Sequence, residues 1–271
     1  MLSDSALLGL PAPAKLNLFL HVVGRRPDGK HLLESVFTLI DLHDTIDLFR
    51  LEEPVVERTG DVIGNVEKDL CVRAARLLME TFDVRSGVRI HVEKRIPAGA
   101  GMGGGSSDAA TVLIGLNRLF GLGLSRSALM ELGEKLGADV PFFIILGRTG
   151  FGEGIGEIIT PLEIPPASYA VIWPGRGIST AEIFAAPNLT RDTKSLKIDI
   201  LSGKALEIWP NLYGHNDLQN VAQELEHRVT EGLGMLACGT HDARMTGSGS
   251  AVFGVIADPC SYRLPQLPGG W

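Results

Sequence analysis

The chain has 271 residues, of which 45% are hydrophobic and 21% are charged. This composition suits a soluble globular protein with a substantial core. The formal net charge of -7 gives no general attraction for nucleic acids or anionic membranes, so we expect neither as a partner. Glycine is enriched, with 33 residues, which predicts many tight turns or close backbone approaches to a ligand.

The three cysteines, Cys71, Cys238 and Cys260, have no CxxC spacing, which argues against a zinc or redox motif. A reduced, cytoplasmic setting fits this use of cysteine. Residues 1–11 lack a basic segment followed by a long apolar run, so we expect no signal or transit peptide. No stretch approaches the ~18 uninterrupted apolar residues of a membrane span.

Residues 14–22 alternate in character, with leucine or valine at the even positions from 16 and Lys15 and Asn17 on the other side. A period of two predicts a half-buried β-strand. Further strands are predicted at 36–40, 44–48 and 88–92, and helices at 69–82, 108–120 and 126–136. Ser106 or Ser107 is the expected N-cap of the helix at 108–120.

The second half of the chain has shorter elements. A strand is predicted at 168–173, a short helix at 180–184, an exposed connection at 188–204, a helix at 215–230, and a turn flanked by strands at 244–257. Prolines cluster at 161–166, which predicts two domains, 1–160 and 161–271. After about residue 256 the tail contains several prolines, which rule out a regular helix there.

The segment 97–107, Pro-Ala-Gly-Ala-Gly-Met-Gly-Gly-Gly-Ser-Ser, lies between a predicted strand and a predicted helix. Glycines leave backbone N–H groups uncovered, and the following helix directs its positive end toward the same place. Two serines add hydroxyl groups for phosphate or for a metal-bound water. The pattern indicates a cradle for a polyphosphate, with a flexible loop as the alternative.

Two other nucleotide loops fit this segment poorly. A Walker loop ends in Gly-Lys-Ser or Gly-Lys-Thr, whereas Gly105 is followed by Ser106 and the segment contains no lysine. A Rossmann fingerprint matches formally, but it requires an acidic residue ~20 positions further on. Position 124 is leucine and the nearest acid is Glu131.

The loop resembles the ATP loop of the GHMP kinase superfamily. Further segments typical of one branch of that superfamily occur in family order, at 13–18 (Pro-Ala-Lys-Leu-Asn-Leu), 24–31, 137–143 (Gly-Ala-Asp-Val-Pro-Phe-Phe), 153–157 and 246–249 (Thr-Gly-Ser-Gly). The resemblance implies an α+β, two-domain GHMP kinase fold with the active site in the interdomain cleft. It covers residues from about 10 to 256.

The same resemblance implies an ATP-dependent kinase with Mg²⁺ as its metal. In this branch the acceptor is the 2-hydroxyl of a cytidine-diphosphate-linked methylerythritol, a precursor in non-mevalonate isoprenoid biosynthesis. We expect a monomer or a homodimer. After about residue 256 the family normally continues through a helix and a last strand, which this tail lacks. The alternatives are another GHMP small-molecule kinase, or an ATP-binding variant that the altered tail makes inactive.

Lys15 and Asn17 lie two positions apart, so their side chains project from one face of the strand. From the pattern alone a solvated strand face is the favoured interpretation. The resemblance assigns Lys15 to stabilising charge on the transferring group and Asn17 to the acceptor. Asp139, otherwise an ordinary turn aspartate, becomes the general base, and pairing with Lys15 would keep its carboxylate ionised.

The resemblance also assigns the remaining contacts. His31, Phe184 and Thr180 correspond to residues around the cytosine, while Lys30 stands where the family usually has a tyrosine that stacks on the base. Lys94 is a candidate contact to the nucleotide, and an exposed lysine at a strand end is the alternative. The expected ATP-binding set is Lys94, Pro97, Ala98, Gly99, Ala100, Gly101, Met102, Gly103, Gly104, Gly105, Ser106 and Ser107.

Overall fold

The computed structural model describes residues 5–145, 149–196, 211–256 and 258–271. Two long strands, β1 (Ala6–Arg25) and β2 (His31–Leu51), open the chain. The strands predicted at 36–40 and 44–48 are therefore parts of one strand. Between them lies only Asp-Leu-His, which contains no glycine or proline to break the extended backbone. The last part of the predicted connection, 197–204, lies outside the described residues.

The chain forms two compact units, each assembled from several segments. The first comprises Met1–Ala14, Ile40–Ala98 and Gly103–Leu146, and the second comprises Lys15–Leu39, Gly99–Met102 and Gly147–Trp271. β1 and β2 each contribute residues to both units. The predicted division into 1–160 and 161–271 stays a prediction.

In the first unit, strands and helices share one apolar core. Its elements are β3 (Val56–Gly60), β4 (Gly87–Glu93), α1 (Leu70–Thr81), α2 (Gly104–Leu119), α3 (Arg126–Leu136) and α4 (Val140–Ile144). β4 pairs antiparallel with the second half of β2, from Thr45 opposite Glu93 to Leu51 opposite Gly87, and parallel with β3. Fully buried Ile46, Leu78 and Leu113 pack from the sheet and from two helices into this core. Asp69 caps α1 by accepting a hydrogen bond from the backbone N–H of Cys71, as its residue type favours.

The second unit contains two groups of strands. Its elements are β5 (Thr149–Glu153), β6 (Ile158–Pro161), β7 (Tyr169–Ile172), α5 (Thr180–Ala185), α6 (Gln219–Leu225), α7 (His227–Leu236), β8 (Thr240–Met245) and β9 (Val252–Ile256). β5 pairs antiparallel with the first half of β2 and with β6. β7, β9 and β8, in that order, form a three-stranded antiparallel sheet.

The helix predicted at 215–230 is wrong in its bounds, because the structure contains two helices separated at Glu226. This residue has an extended backbone, with φ -140° and ψ 101°, and its side chain accepts a hydrogen bond from the N–H of Arg228. Glu226 therefore ends α6 and caps α7. The apolar spacing continues across the break, so periodicity alone could not reveal it.

The tail, residues 258–271, contains no helix or strand, as its prolines predict. Tyr262 and Trp271 nevertheless pack against the core of the second unit. A side chain at Gly232 of α7 would approach the Trp271 ring to within 3.4 Å, so the small residue admits the indole. Leu264, in contrast, is 75% exposed. The tail thus covers part of the apolar core of the second unit.

None of the helices in the described segments has both the length and the apolar character needed to cross a membrane.

Adjacent positions on α2 test the packing of the first unit. Leu113 is fully buried, whereas Ile114 is 43% exposed. We expect Leu113→Ala to lower the free energy of unfolding by about 2–5 kcal/mol, because it removes methyl groups from a packed core and leaves a cavity. Ile114→Ala, the matched control, should change it by less than about 1 kcal/mol. Urea denaturation measures both; equal losses would contradict the packing described.

Candidate active site

The glycine-rich loop has a backbone that glycine makes possible. Gly99, Gly101 and Gly103 have φ angles of 68°, 76° and 72°, a region that other residues rarely adopt. At Gly101 a side chain would also collide with the carbonyl oxygen of Thr246, at 2.3 Å. The loop therefore takes this course only because these positions carry no side chain.

The late glycine turn, 246–249, packs directly on residues 99–102 of the loop. Ser250 N–H donates to the carbonyl of Gly99 at 3.3 Å, and Ala251 N–H to that of Ala100 at 3.1 Å. From the other side, the amide of Asn216 donates to the carbonyls of Met245 and Gly247, at 2.8 and 2.9 Å. Two glycine-rich segments far apart in sequence thus form one fixed backbone structure.

The start of α2 presents unused backbone donors. The helix begins at Gly104 rather than Asp108, so the predicted N-cap at Ser106 or Ser107 is wrong. Gly103 occupies the N-cap, and within the part of the chain that the structure describes no side chain caps the first turn. The N–H groups of this turn have no partner within the helix, and Gly105 is exposed. Since the helix dipole also favours an anion here, these residues fit a phosphate group.

The two serines of the loop differ in access. Ser106 is half-buried, whereas Ser107 is fully buried. Among the described residues, the Ser107 hydroxyl has no hydrogen-bond partner. The hydroxyl of Ser106 is therefore the better placed of the two to reach a phosphate.

Lys15 and Asn17 lie on β1 and are both buried, at 3% and 2% exposure. The predicted half-buried strand is in fact buried on both faces through this stretch. The Lys15 ammonium donates to the side-chain oxygen of Asn17 and lies 5.7 Å from the centre of the Phe37 ring. A side chain at Gly247 would come within 3.1 Å of the same nitrogen. A buried positive charge therefore sits beside the late glycine turn.

The surroundings of Lys15 and Asn17 are fixed by hydrogen bonds. The backbone N–H of Lys15 donates to the carbonyl of Met102 at 3.0 Å, and that of Asn17 donates to Thr246 Oγ1 at 2.9 Å. The Asn17 amide donates to Ser35 Oγ at 2.8 Å. Ser35 also belongs to this group. No motif around Ser35 predicts this contact, because the pairing of the long strands β1 and β2 brings the residue to Asn17.

Lys94 is held by two carboxylates in the first unit. Its ammonium lies 2.5 Å from Asp44 and 2.6 Å from Asp108, and only 14% of its side chain is exposed. Burial alone would lower the pKa of Lys94, but Asp108 and Asp44 outweigh it and raise the pKa. Burial raises the pKa of Asp108 to about 7, against the effect of Lys94. Lys94 therefore fastens the start of α2, and its contact with nucleotide stays a prediction.

Asp139 precedes α4, the short helix Val140–Ile144. Its side chain is half-buried and makes no capping hydrogen bond to that helix. Pro141, in the first turn, fixes the backbone at this point. The carboxylate is therefore not used as a cap.

His31, Phe184 and Thr180 lie in the second unit, as parts of two local groups. The rings of His31 and Phe184 stack, with centroids 4.8 Å apart and an interplanar angle of 24°. Thr180 Oγ1 forms a hydrogen bond of 2.7 Å with Ser248 Oγ of the late glycine turn. Lys30 is exposed. The stacked rings are in direct contact, so a planar ligand would meet them at an edge or an outer face.

Arg191 joins the His31 group, although no sequence motif marks this residue. Its Nε donates to His31 Nε2 at 3.1 Å. Burial lowers the pKa of His31, and the positive charges of Arg191 and Arg25 lower it further. Both effects favour the neutral form of the imidazole.

The fold and the loop are those of GHMP kinases. The family model described as GHMP kinases N terminal domain matches residues 69–147. The crystal structure of L. major mevalonate kinase in complex with R-mevalonate has the same fold, with a TM-score of 0.68 and 15% identity over 96% of this chain and 90% of that one. The predicted α+β GHMP kinase fold is confirmed.

Closer relatives define the family. A Ralstonia pickettii protein named 4-diphosphocytidyl-2-C-methyl-D-erythritol kinase is 51% identical over 264 residues, covering 96% of this chain and 90% of its own. A crystal structure of 4-(cytidine 5'-diphospho)-2C-methyl-D-erythritol kinase superposes with a TM-score of 0.78 at 36% identity, over 94% of this chain and 91% of that chain. The chain belongs to the 4-diphosphocytidyl-2-C-methyl-D-erythritol kinase family and is an ATP-dependent phosphotransferase.

A comparison of two glycines distinguishes the cost of backbone strain from the cost of a collision between a side chain and the backbone. Gly101 and Gly123 both have positive φ, but a side chain at Gly123 meets nothing within 4 Å. Backbone strain costs both variants about 1–2 kcal/mol. Because Gly101→Ala adds a collision with the Thr246 carbonyl, we expect it to lower the free energy of unfolding by at least ~2 kcal/mol more than Gly123→Ala. Chemical denaturation compares the two variants, and equal losses would show that the loop does not pack as closely as described.

Proposed function

We propose that this kinase transfers the γ-phosphoryl group of ATP to the 2-hydroxyl of 4-diphosphocytidyl-2-C-methyl-D-erythritol. The observation that carries this acceptor is the 51% identity, across 96% of the chain, to a relative with that name. Similarity to mevalonate kinase, at 15% identity, supports the fold alone. The product would serve isoprenoid precursor biosynthesis by the non-mevalonate route.

The ATP phosphates would bind the glycine loop. The uncapped first turn of α2 offers backbone N–H groups, and the absence of side chains at Gly103 and Gly105 lets oxygen atoms approach. The hydroxyl of Ser106 is a further candidate contact. Mg²⁺ would accompany ATP and neutralise charge on its phosphates.

Lys15 would stabilise the transferring group. Phosphoryl transfer asks the protein mainly for positioning and positive charge. A buried ammonium acts more strongly than an exposed one, because little water screens it. Asn17, which accepts a hydrogen bond from Lys15 and donates one to Ser35, would hold that ammonium and the acceptor hydroxyl in position.

Asp139 would act as general base. As the oxygen–phosphorus bond forms, the acceptor hydroxyl loses its proton to the Asp139 carboxylate, and the bond between the γ-phosphorus and the bridging oxygen breaks to release ADP. The absence of a capping bond to α4 supports this role, because a carboxylate committed to a helix cap would be a poorer proton acceptor.

The cytosine would bind at His31 and Phe184, with Thr180 nearby. Lys30, exposed in place of the family tyrosine, would not stack as an aromatic ring does, and its charge would interact with the diphosphate instead. We also propose a cytoplasmic setting, which the three free thiols support, and a monomer or homodimer without a nucleic-acid partner.

Product analysis tests the acceptor. The purified chain is incubated with ATP, Mg²⁺ and either the cytidyl acceptor, mevalonate or homoserine, and ADP release and phosphorus NMR of the product are measured. We expect a new monophosphate ester at the 2-position of the cytidyl acceptor only. Phosphorylation of another acceptor would contradict the proposed acceptor. ATP binding without phosphoryl transfer to any of them would favour the inactive variant.

Replacing Asp139 tests the base. Asp139→Asn keeps the shape of the side chain but removes the proton acceptor, so kcat should fall by about 10²–10⁴-fold while ATP still binds. Glu134→Gln, on the exposed face of α3, is the matched control and should leave kcat unchanged. A steady-state rate for Asp139→Asn near that of the control would overturn the assignment.

A further inference from the structure

Every nitrogen of the Arg191 guanidinium is engaged. Nε donates to His31 Nε2 at 3.1 Å, one terminal nitrogen to the carbonyl of Leu189 at 2.9 Å, and the other to the carbonyls of Phe184 and Ala186, at 3.0 and 2.7 Å. Arg191 therefore binds the side chain of one ring residue and the backbone of the other. The planar fork of arginine suits such a set of acceptors, and lysine could not reproduce it.

The bond to His31 determines the position of the imidazole proton. A guanidinium is always charged and can only donate, so His31 Nε2 must accept. A neutral imidazole that accepts at Nε2 carries its proton at Nδ1. Protonation of both nitrogens would remove the acceptor and place a second positive charge beside Arg191. His31 is thereby fixed as a hydrogen-bond donor at Nδ1.

The segment that carries Arg191 is anchored beyond it. The backbone N–H of Thr193 donates to the carbonyl of Val22 at 3.1 Å, and its hydroxyl to Asp217 at 2.8 Å. The N–H of Leu196 donates to the buried carboxylate of Glu34 at 2.8 Å. These bonds tie the segment to β1 and β2, so Arg191 approaches His31 from a fixed backbone.

We propose that Arg191 is a positioning residue that holds His31 as a donor at Nδ1 and so selects cytosine over uracil in the acceptor. This rests on the proposed function, in which His31 and Phe184 meet the base. N3 of cytosine accepts a hydrogen bond, whereas N3–H of uracil donates one, so a fixed donor pairs with the first and opposes the second. A site whose polar group is fixed discriminates more strongly than one that can adapt.

The stacking of His31 on Phe184 supports the proposed role of Arg191. Arg191 bonds both His31 Nε2 and the Phe184 carbonyl, so the relative placement of the two rings depends on one side chain. The exposed Lys194 lies three positions further along the same segment. Lys194→Gln therefore removes one positive charge nearby without touching the rings, and it serves as the control for Arg191→Gln.

Ring-nitrogen NMR tests the tautomer without any acceptor. With the His31 signals assigned by their loss in His31→Asn, the wild-type chain should show a protonated Nδ1 and an unprotonated Nε2. Arg191→Gln should shift the population toward the other tautomer, while Lys194→Gln should not. A wild-type His31 protonated at Nε2 would overturn the proposal, and this outcome is measured on the wild-type chain, with His31→Asn used only to assign the signals.

Acceptor selectivity is the second measurement. The ratio of kcat/KM for the cytidine-diphosphate acceptor to that for its uridine analogue should fall at least ~10-fold in Arg191→Gln and Arg191→Lys, the scale expected for a misplaced polar contact. The KM for ATP should stay within about 2-fold. An equal loss with both acceptors would mean a merely structural role and overturn the proposal.

The two measurements separate this proposal from the function on which it rests. If the wild-type chain does not phosphorylate the cytidyl acceptor, the proposed function fails, while the tautomer still decides whether Arg191 fixes His31. If the tautomer shifts in Arg191→Gln but the selectivity ratio does not change, the selection of cytosine by this device is refuted.

Discussion

The structure depends on the close approach of two glycine-rich segments, residues 99–102 and the turn 246–249. At Gly101 the Thr246 carbonyl lies where a side chain would begin, so the contact is made by backbone against backbone. β1 joins it through Lys15 N–H to Met102 and Asn17 N–H to Thr246. Three segments from distant parts of the chain are thus fastened around one ammonium group.

Two lysines near the loop show how the fold distributes charge. Lys94 is bonded by two carboxylates, which commits its charge to holding the start of α2. Lys15 donates to a neutral amide oxygen and lies over an aromatic ring. Burial keeps water from screening that charge, and this supports its proposed action on a transferring phosphoryl group.

Much of the site could be predicted from sequence because its chemistry is local. The loop's glycines and its position before a helix indicate a phosphate cradle, and the loop's resemblance to GHMP kinases predicted the fold that the comparisons confirm. The start of α2 was misplaced because serine is a common N-cap, whereas here a glycine in the left-handed region enters the helix directly.

The remaining features depend on contacts between distant residues. Lys94 meets Asp44 fifty positions away, and Arg191 meets His31 across 160 positions; no periodicity or motif predicts such pairs. The alternating residues of β1 predict one solvent-exposed face, but strand pairing and side-chain packing bury both faces of the strand. The local sequence pattern therefore identifies the helices, strands and candidate residues, while tertiary packing determines which charged side chains are paired and with which partners.

A single-turnover measurement of phosphoryl transfer in Lys15→Met tests the central claim most directly. Methionine fills a similar volume without charge, so ATP and the acceptor should still bind within about 3-fold of wild type, while the transfer rate constant falls by about 10²–10³-fold, the loss expected when one charged donor to the transition state is removed. A transfer rate constant within about 3-fold of wild type would contradict the account, because the buried ammonium would then serve the fold and not the reaction.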